Sequence, residues 1–325
     1  MRQILVMRQV ILFLLLCCFS SASIHAAEPV ATRMRNVVFH LGKGIEMRVD
    51  DLNGRLVSTR SGPPVFDDVN SYVVDIQSAR VSLTAESLTN LMNNYVFAGP
   101  DAPLSKLKIE IEGNELKQSG VLVKAVPVPF HLRATISATP DGRIRVHPTS
   151  MKAAGFLSKR VLDFFGLELE RLVKVNPATG VTIDGDDLLL DPTRLLPPPR
   201  IKGRLTRTWI ENGLVVQQFG TPVKRPLTPP NGPFSNYMYY RGGTLRFGKL
   251  TMVDADLVLV DADQSDPFDF SPEEYNDQLV AGYSKNTRSH GLIVYMPDLS
   301  DVSRRSARAT AEAPKAVSSR SSTSR

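Results

Sequence analysis

Two stretches decide the fold, LKIEIEGNEL at 107–116 and FHLRATISATPDGRIRV at 130–146. In the first, Leu107, Ile109 and Ile111 fall on one side and Lys108, Glu110 and Glu112 on the other, up to a turn at Gly113-Asn114. In the second, Phe130, Leu132, Ala134 and Ile136 face in, and His131, Arg133 and Thr135 face out. Asp141-Gly142 then predicts a two-residue hairpin into Ile144 and Val146. A period of two is the mark of a strand with one dry and one wet face. A third hairpin is predicted at Asn212-Gly213, between LTRTWIE and LVVQQF. The body of the chain therefore reads as a largely antiparallel sheet.

Two segments break the alternation. Thr84 can cap a helix that places Leu88, Leu91, Met92 and Tyr95 on one side and ends at Gly99-Pro100. A longer helix is predicted over 156–175, FLSKRVLDFFGLELERLVKV. Val161, Leu162, Phe165, Leu169, Leu172 and Val173 make its apolar stripe, which Phe156, Phe164 and Leu167 widen. The fold class expected is α+β: a curved, largely antiparallel sheet wrapped around a long amphipathic helix.

After that helix comes VTIDGDDLLLDPTRLLPPPR at 181–200, with four aspartates beside leucines and prolines. Counted from Asp184, an EF-hand loop would need glycine where Leu189 stands and glutamate where Leu195 stands, so a calcium loop of that kind is excluded. Val181 and Ile183 read as a strand, Asp184-Gly185-Asp186 as a turn and Leu188–Leu190 as the returning strand. Asp191-Pro192 opens another turn, and 195–199 reads as a stiff extended connector whose apolar side chains sit at the mouth or end of an apolar site.

The ends of the chain carry other signals. Arg2 and Arg8, the apolar run 10–18 and the small-residue stretch SSASIHAA read as a signal peptide over 1–27, with Met7 as an alternative start. Both cysteines, Cys17 and Cys18, lie in it. Leu16 stands where lipoprotein processing expects a small residue, so the mature chain is expected to be exported, free of disulfides and soluble in the bacterial periplasm. The pI of 9.3 does not imply nucleic acid. Of the net +6, the two leader arginines contribute +2, and residues 304–325, six basic side chains against Glu312, contribute +5. Residues 28–303 are left at −1. The expected organisation is a signal peptide (1–27), an α+β domain (28–220), a Pro-rich linker (221–233), a β-rich C-terminal block (234–302) and a disordered basic tail (303–325) suited to an anionic surface. Whether the C-terminal block is a second domain or a sheet extension is open at this level.

No catalytic constellation assembles. The sequence has no G-x-S-x-G, P-loop, H-E-x-x-H or Rossmann glycine pattern, and His40, His131, His147 and His290 are scattered. The aspartates 254, 256, 261, 263, 266 and 269 read as the wet face and turn of an edge strand, where charge deters aggregation. No cofactor and no metal is expected.

The succession VSLTAESLTNLMNNYVF, LSKLKIEIEGNELKQSGVLVKAVPVPFHLRATISATPDGRIRVHP, a helix, and LLPPPRIKGRLTRTWIENGLVVQQFG resembles the LmeA-like phospholipid-binding proteins of bacterial envelopes, which are similar to the wider TULIP-like tubular lipid-binding class. The resemblance spans about residues 75–220. It implies a curved sheet around a long helix and a role in binding or moving lipid, with no motif residue to carry over. The expected activity is non-enzymatic binding or shuttling of lipid, phospholipid above all, in an apolar groove between sheet and helix. Leu107, Ile109, Phe130, Leu132, Ile136, Leu162, Phe165 and Leu169 are the expected lining. Expected partners are lipid or a membrane surface and an envelope protein, not nucleic acid. The alternatives are an envelope scaffold or assembly factor with no ligand and, behind it, a hydrolase using the aspartates.

Overall fold

The structure, a computed structural model, describes residues 27–123, 127–153, 156–157 and 180–312. The chain opens as an antiparallel meander of β1 (Val30–His40), β2 (Glu46–Ser58) and β3 (Tyr72–Leu83). A helix over Ala85–Leu91 runs on into one π-helical turn, Met92–Val96, and Thr84 caps it by accepting from Ser87 N at 3.0 Å. A second meander follows, of β4 (Leu104–Glu112), β5 (Glu115–Leu122), β6 (Val128–Ala138) and β7 (Ile144–Ala153). Phe156–Leu157, the expected start of the long helix, instead forms a two-residue strand, β8, that turns back on β7. Leu162, Phe165 and Leu169 lie outside the described residues.

The hairpin of β9 (Val181–Asp184) and β10 (Asp187–Leu190) adds to β7. Where a plain turn was expected, Pro192–Leu195 makes one helical turn, because Asp191 caps it by accepting from Thr193 N at 2.9 Å. Then come β11 (Arg200–Lys202) and the hairpin of β12 (Leu205–Glu211) and β13 (Leu214–Gly220). The last part gives β14 (Tyr237–Arg241), the small hairpin of β15 (Thr244–Phe247) and β16 (Leu250–Val253), then β17 (Asp256–Asp261) and β18 (Phe268–Phe270). A helix over Tyr275–Ala281, β19 (Tyr283–Asn286), β20 (Leu292–Met296) and a helix over Leu299–Glu312 complete it.

These strands form a large sheet in the order β12-β13-β3-β2-β1-β14-β17-β20-β19, with β11 beside β3 and β18 beside β1. A smaller sheet runs β4-β5-β6-β7-β10-β9. The architecture is a sheet-rich α+β fold, and most of its pairings are antiparallel. One core joins the two sheets: Ala134, Ile144 and Val146 of the small sheet cluster with Leu205, Phe219 and Val74 of the large one. The outer face of the large sheet is wet, with Arg80 between Asp50 and Glu211 and stacked 5.1 Å from the Trp209 ring.

The hairpin residues act as their types require. Asn212 (φ 51°) and Gly213 (φ 72°) both take the left-handed conformation of a two-residue turn whose twist suits the flanking strands. The loop at Asp141-Gly142 is longer than expected. Thr139 and Arg143 close it through Thr139 N to Arg143 O at 2.9 Å, and the Thr139 hydroxyl accepts from Arg143 N at the same distance. That hydroxyl holds three residues in the turn rather than two.

The C-terminal block is a sheet extension. β14 pairs with β1 in register from Ala31 opposite Arg241 to Arg35 opposite Tyr237, and β17, β20 and β19 continue outward from it. The Pro-rich stretch at 221–233 touches the sheet through Leu227. Leu227 packs with Phe234 on the face formed by Tyr237, Tyr239, Val258 and Val260, and its carbonyl accepts from Arg33 Nη1 at 3.1 Å.

This position also overturns the edge-strand reading. β17 lies between β14 and β20, and every residue in it is buried. A strand covered on both faces needs a continuous apolar run, and LVLV supplies one. Its two terminal carboxylates are satisfied internally: Asp256 accepts from the Tyr239 hydroxyl at 3.0 Å and the Ser289 hydroxyl at 3.1 Å, and Asp261 from Asp263 N at 2.9 Å and Asn236 Nδ2 at 3.2 Å.

Candidate functional site

Where the inner faces of the two sheets meet, they leave a hollow of about 130 Å³. Alternation along the strands of the small sheet delivers Ile109, Leu132, Ile136, Ile144 and Val146 to one wall. Leu83 and Val215 come from the large sheet, and Leu88, Leu91 and Met92 from the helix that follows β3. The 181–200 stretch forms much of the remainder: Val181, Ile183, Leu188, Leu190, Leu195 and Leu196 all line the hollow, and Gly185, Asp186 and Asp187 stand at its rim. Asp184, Asp186 and Asp187 thus belong to the hairpin turn and Asp191 to the helix cap, with Leu188 and Leu190 between them turned inward. Asp187 is held by Arg145 at 3.1 Å and by His147 Nδ1 at 2.6 Å.

Of the eight residues named from sequence, Ile109, Leu132 and Ile136 line the hollow. Leu107 and Phe130 are turned the same way but pack with Leu104, Leu122 and Met151 at one end of it. They meet over Gly120, where a Cβ would stand 2.6 Å from Leu107 Cδ2 and 3.1 Å from Phe130 Cε1. Leu195 and Leu196 belong to the connector expected at an apolar mouth, whereas the lining residues of 181–192, the helix residues and the two glutamines below were not named. The leucines of 188–196 carried a readable signal, since an apolar run beside a proline connector points to an apolar mouth.

The helix at 85–96 is fastened to both sheets. Thr89 Oγ1 accepts from Ile109 N at 3.0 Å, and Asn93 takes both backbone groups of Leu107, Nδ2 donating at 2.7 Å and Oδ1 accepting at 3.0 Å. On its other side, Asn90 and Asn94 donate to Gly44 O at 2.8 Å and Lys43 O at 3.1 Å in the β1–β2 turn. The run TNLMNN therefore places leucine and methionine in the hollow and fixes the spacing of its walls with amides.

Two polar side chains enter this apolar lining, Gln118 from β5 and Gln217 from β13. Gln217 is 7 % exposed and also lines a second, smaller cavity of about 40 Å³ with Met34, Val81, Ile201 and Phe219.

A second cluster lies at the far end of the large sheet. Asp261, Asp266 and Asp298 bring carboxylate oxygens within 4.8 Å of one another, a spacing that a divalent cation could bridge. Burial pushes Asp261 up to about 7 and Asp298 up to about 6, against the donors each accepts from. Asp261 and Asp298 are thus harder to ionise than exposed carboxylates. Beside it, burial opposes protonation of His40, but the hydrogen bond and charge of Asp269 outweigh it and hold the imidazole above its ordinary value.

Comparison of the chain with protein-family models, with curated proteins and with solved structures returns no match.

Proposed function

We propose that the chain is an exported, non-enzymatic protein of the bacterial periplasm that binds or shuttles lipid, phospholipid first, by taking acyl chain into the hollow between its sheets. The observation that carries this reading is the hollow itself, walled by aliphatic side chains from four separate parts of the chain. Its described lining runs from Leu83 to Gln217, inside the stretch that resembles the LmeA-like proteins. Apolar lining of this kind stabilises a guest by roughly 0.8 kcal/mol per methylene removed from water. About 130 Å³ is close to the size of a dry cavity that takes one benzene. A longer chain requires further lining, which in this proposal Leu162, Phe165 and Leu169 supply from a long helix against the curved sheet.

The test is native mass spectrometry of the exported protein, followed by solvent extraction. A near-stoichiometric phospholipid is the expected result. A mass without lipid, unchanged after incubation with phospholipid vesicles, overturns the reading and leaves the scaffold in its place.

A further inference from the structure

Two buried glutamines of this molecule are treated in opposite ways. Gln278, fully buried beneath β18 and β20, has both ends of its amide bonded: Oε1 accepts from Ser271 N at 3.1 Å, and Nε2 donates to Asp269 O at 2.8 Å and Pro297 O at 2.9 Å. Gln217 is nearly as buried, yet among the described residues no group is hydrogen-bonded to its side-chain amide. Thr208, opposite it on β12, turns its hydroxyl to Val216 O at 3.0 Å and is not bonded to the amide. The amide keeps surface open to the hollow, so a partner for it has to come from what enters there, and natural structures supply one for nearly all polar groups so placed.

Alternation along β13 puts Val215, Gln217 and Phe219 in file on the inner face. Val215 faces the main hollow, Phe219 the smaller cavity, and Gln217 both. The amide thus stands at the junction of two apolar spaces. Gln118 enters the main hollow from the facing sheet, paired in register with Ile109 and Leu132, and its side chain too has no partner among the described residues. No lysine or arginine is among the described lining, and the two charged side chains at the rim are acidic. An anionic group drawn inside would meet no described counter-charge there.

We infer that the hollow recognises a neutral acyl ester: its carbonyl is held by the Gln217 amide, with Gln118 assisting, and apolar arms lie on either side. This rests on the lipid-binding reading and adds to it the group that is recognised. Amide N–H donates to the ester carbonyl. A hydrocarbon of equal length leaves the glutamines unpaired, and a carboxylate meets no positive side chain among the described lining.

The test uses the full exported chain, stripped of lipid and loaded with the neutral fluorescent probe N-phenyl-1-naphthylamine. Methyl palmitate, octadecane and palmitate then compete for the site. The expected result is that the ester displaces the probe at about tenfold lower concentration than the alkane, the scale of one neutral hydrogen bond. In Gln217→Leu the preference falls to within about twofold while the probe still binds, and Gln118→Leu lies between. If Gln217→Leu does not fold, Gln217→Met, which keeps the side-chain length, is measured instead. Probe binding with no preference for the ester in the parent, or a preference that survives in both glutamine variants, overturns this inference and leaves lipid binding intact. No binding of any probe or lipid overturns both. Dipalmitoylglycerol against dipalmitoylphosphatidylglycerol in the same assay then tells whether the ester comes from a neutral lipid or a phospholipid.

Discussion

The two ends of the inner face of the large sheet are packed to different standards. Around β1, β14 and β18, Phe66 stands 5.1–5.9 Å from the rings of Phe247, Tyr240, Phe270 and Tyr275, and Phe39 and Phe268 lie against Phe270. At the hollow beside β3 and β13 the lining is mainly leucine, isoleucine, valine and methionine with two glutamines, and Phe97 is the one aromatic in the described lining. Both ends are apolar and both are covered. Aromatic rings reach across the gap and interlock at one end, whereas aliphatic side chains on two walls stop short of each other at the other. Whether a sheet closes a core or keeps a hollow is thus set by side-chain reach as much as by hydrophobicity.

The largest expected effect tests that contrast directly. Phe66→Ala should lower stability by about 4 kcal/mol, because it empties the middle of a ring cluster, whereas Leu132→Ala, whose side chain borders empty space already, should cost less than about 2. Urea unfolding midpoints of the two variants check this, and equal losses would break the contrast.

The second effect belongs to the filled end. Asp261 has its folded value raised from 3.8 to about 7, so the folded state holds a proton that the unfolded state releases. Stability from this group is complete below about pH 4 and declines as pH rises towards 7. Asp298 and His40, also raised, act in the same direction, and Asp269, which the His40 interaction holds low against its burial, acts in the opposite one below pH 4. Melting followed from pH 4 to 8 should show a falling Tm, and Asp261→Asn should flatten it by about 5 °C. An unchanged slope in that variant would assign the pH dependence elsewhere.

The smallest effect on stability is expected at the hollow end. Ile136→Phe and Leu188→Phe add rings where space exists, so each should stay within about 1 kcal/mol of the parent while retained lipid, measured by extraction, falls sharply. Severe destabilisation by both would mean that the space is not available to a side chain.

The hairpins were legible because period-two alternation is local and the turn residues mark its ends. Distant pairing was not: β14 lies against β1 across about two hundred residues, and no local pattern carries that register. β17 was misread for a specific reason. Its flanking aspartates resemble a solvated edge, while the decisive sign, LVLV as an unbroken apolar run, was outweighed by charges that Tyr239, Ser289 and Asn236 satisfy internally. Gln217 was invisible for the opposite reason. One polar residue in an apolar file reads as a surface position until both neighbours on its face are known to be buried.

The fastening of Asn93 to Leu107 also governs how the molecule behaves beside copies of itself. β4 is the first strand of the small sheet among the described residues, and a strand border of this kind invites fibril-like growth by adding strands from other chains. Leu107 N, Leu107 O and Ile109 N are already occupied by side chains of the chain's own helix. An incoming strand must first displace Thr89 and Asn93 to pair there, so the helix that spaces the walls of the hollow is also a guard against aggregation.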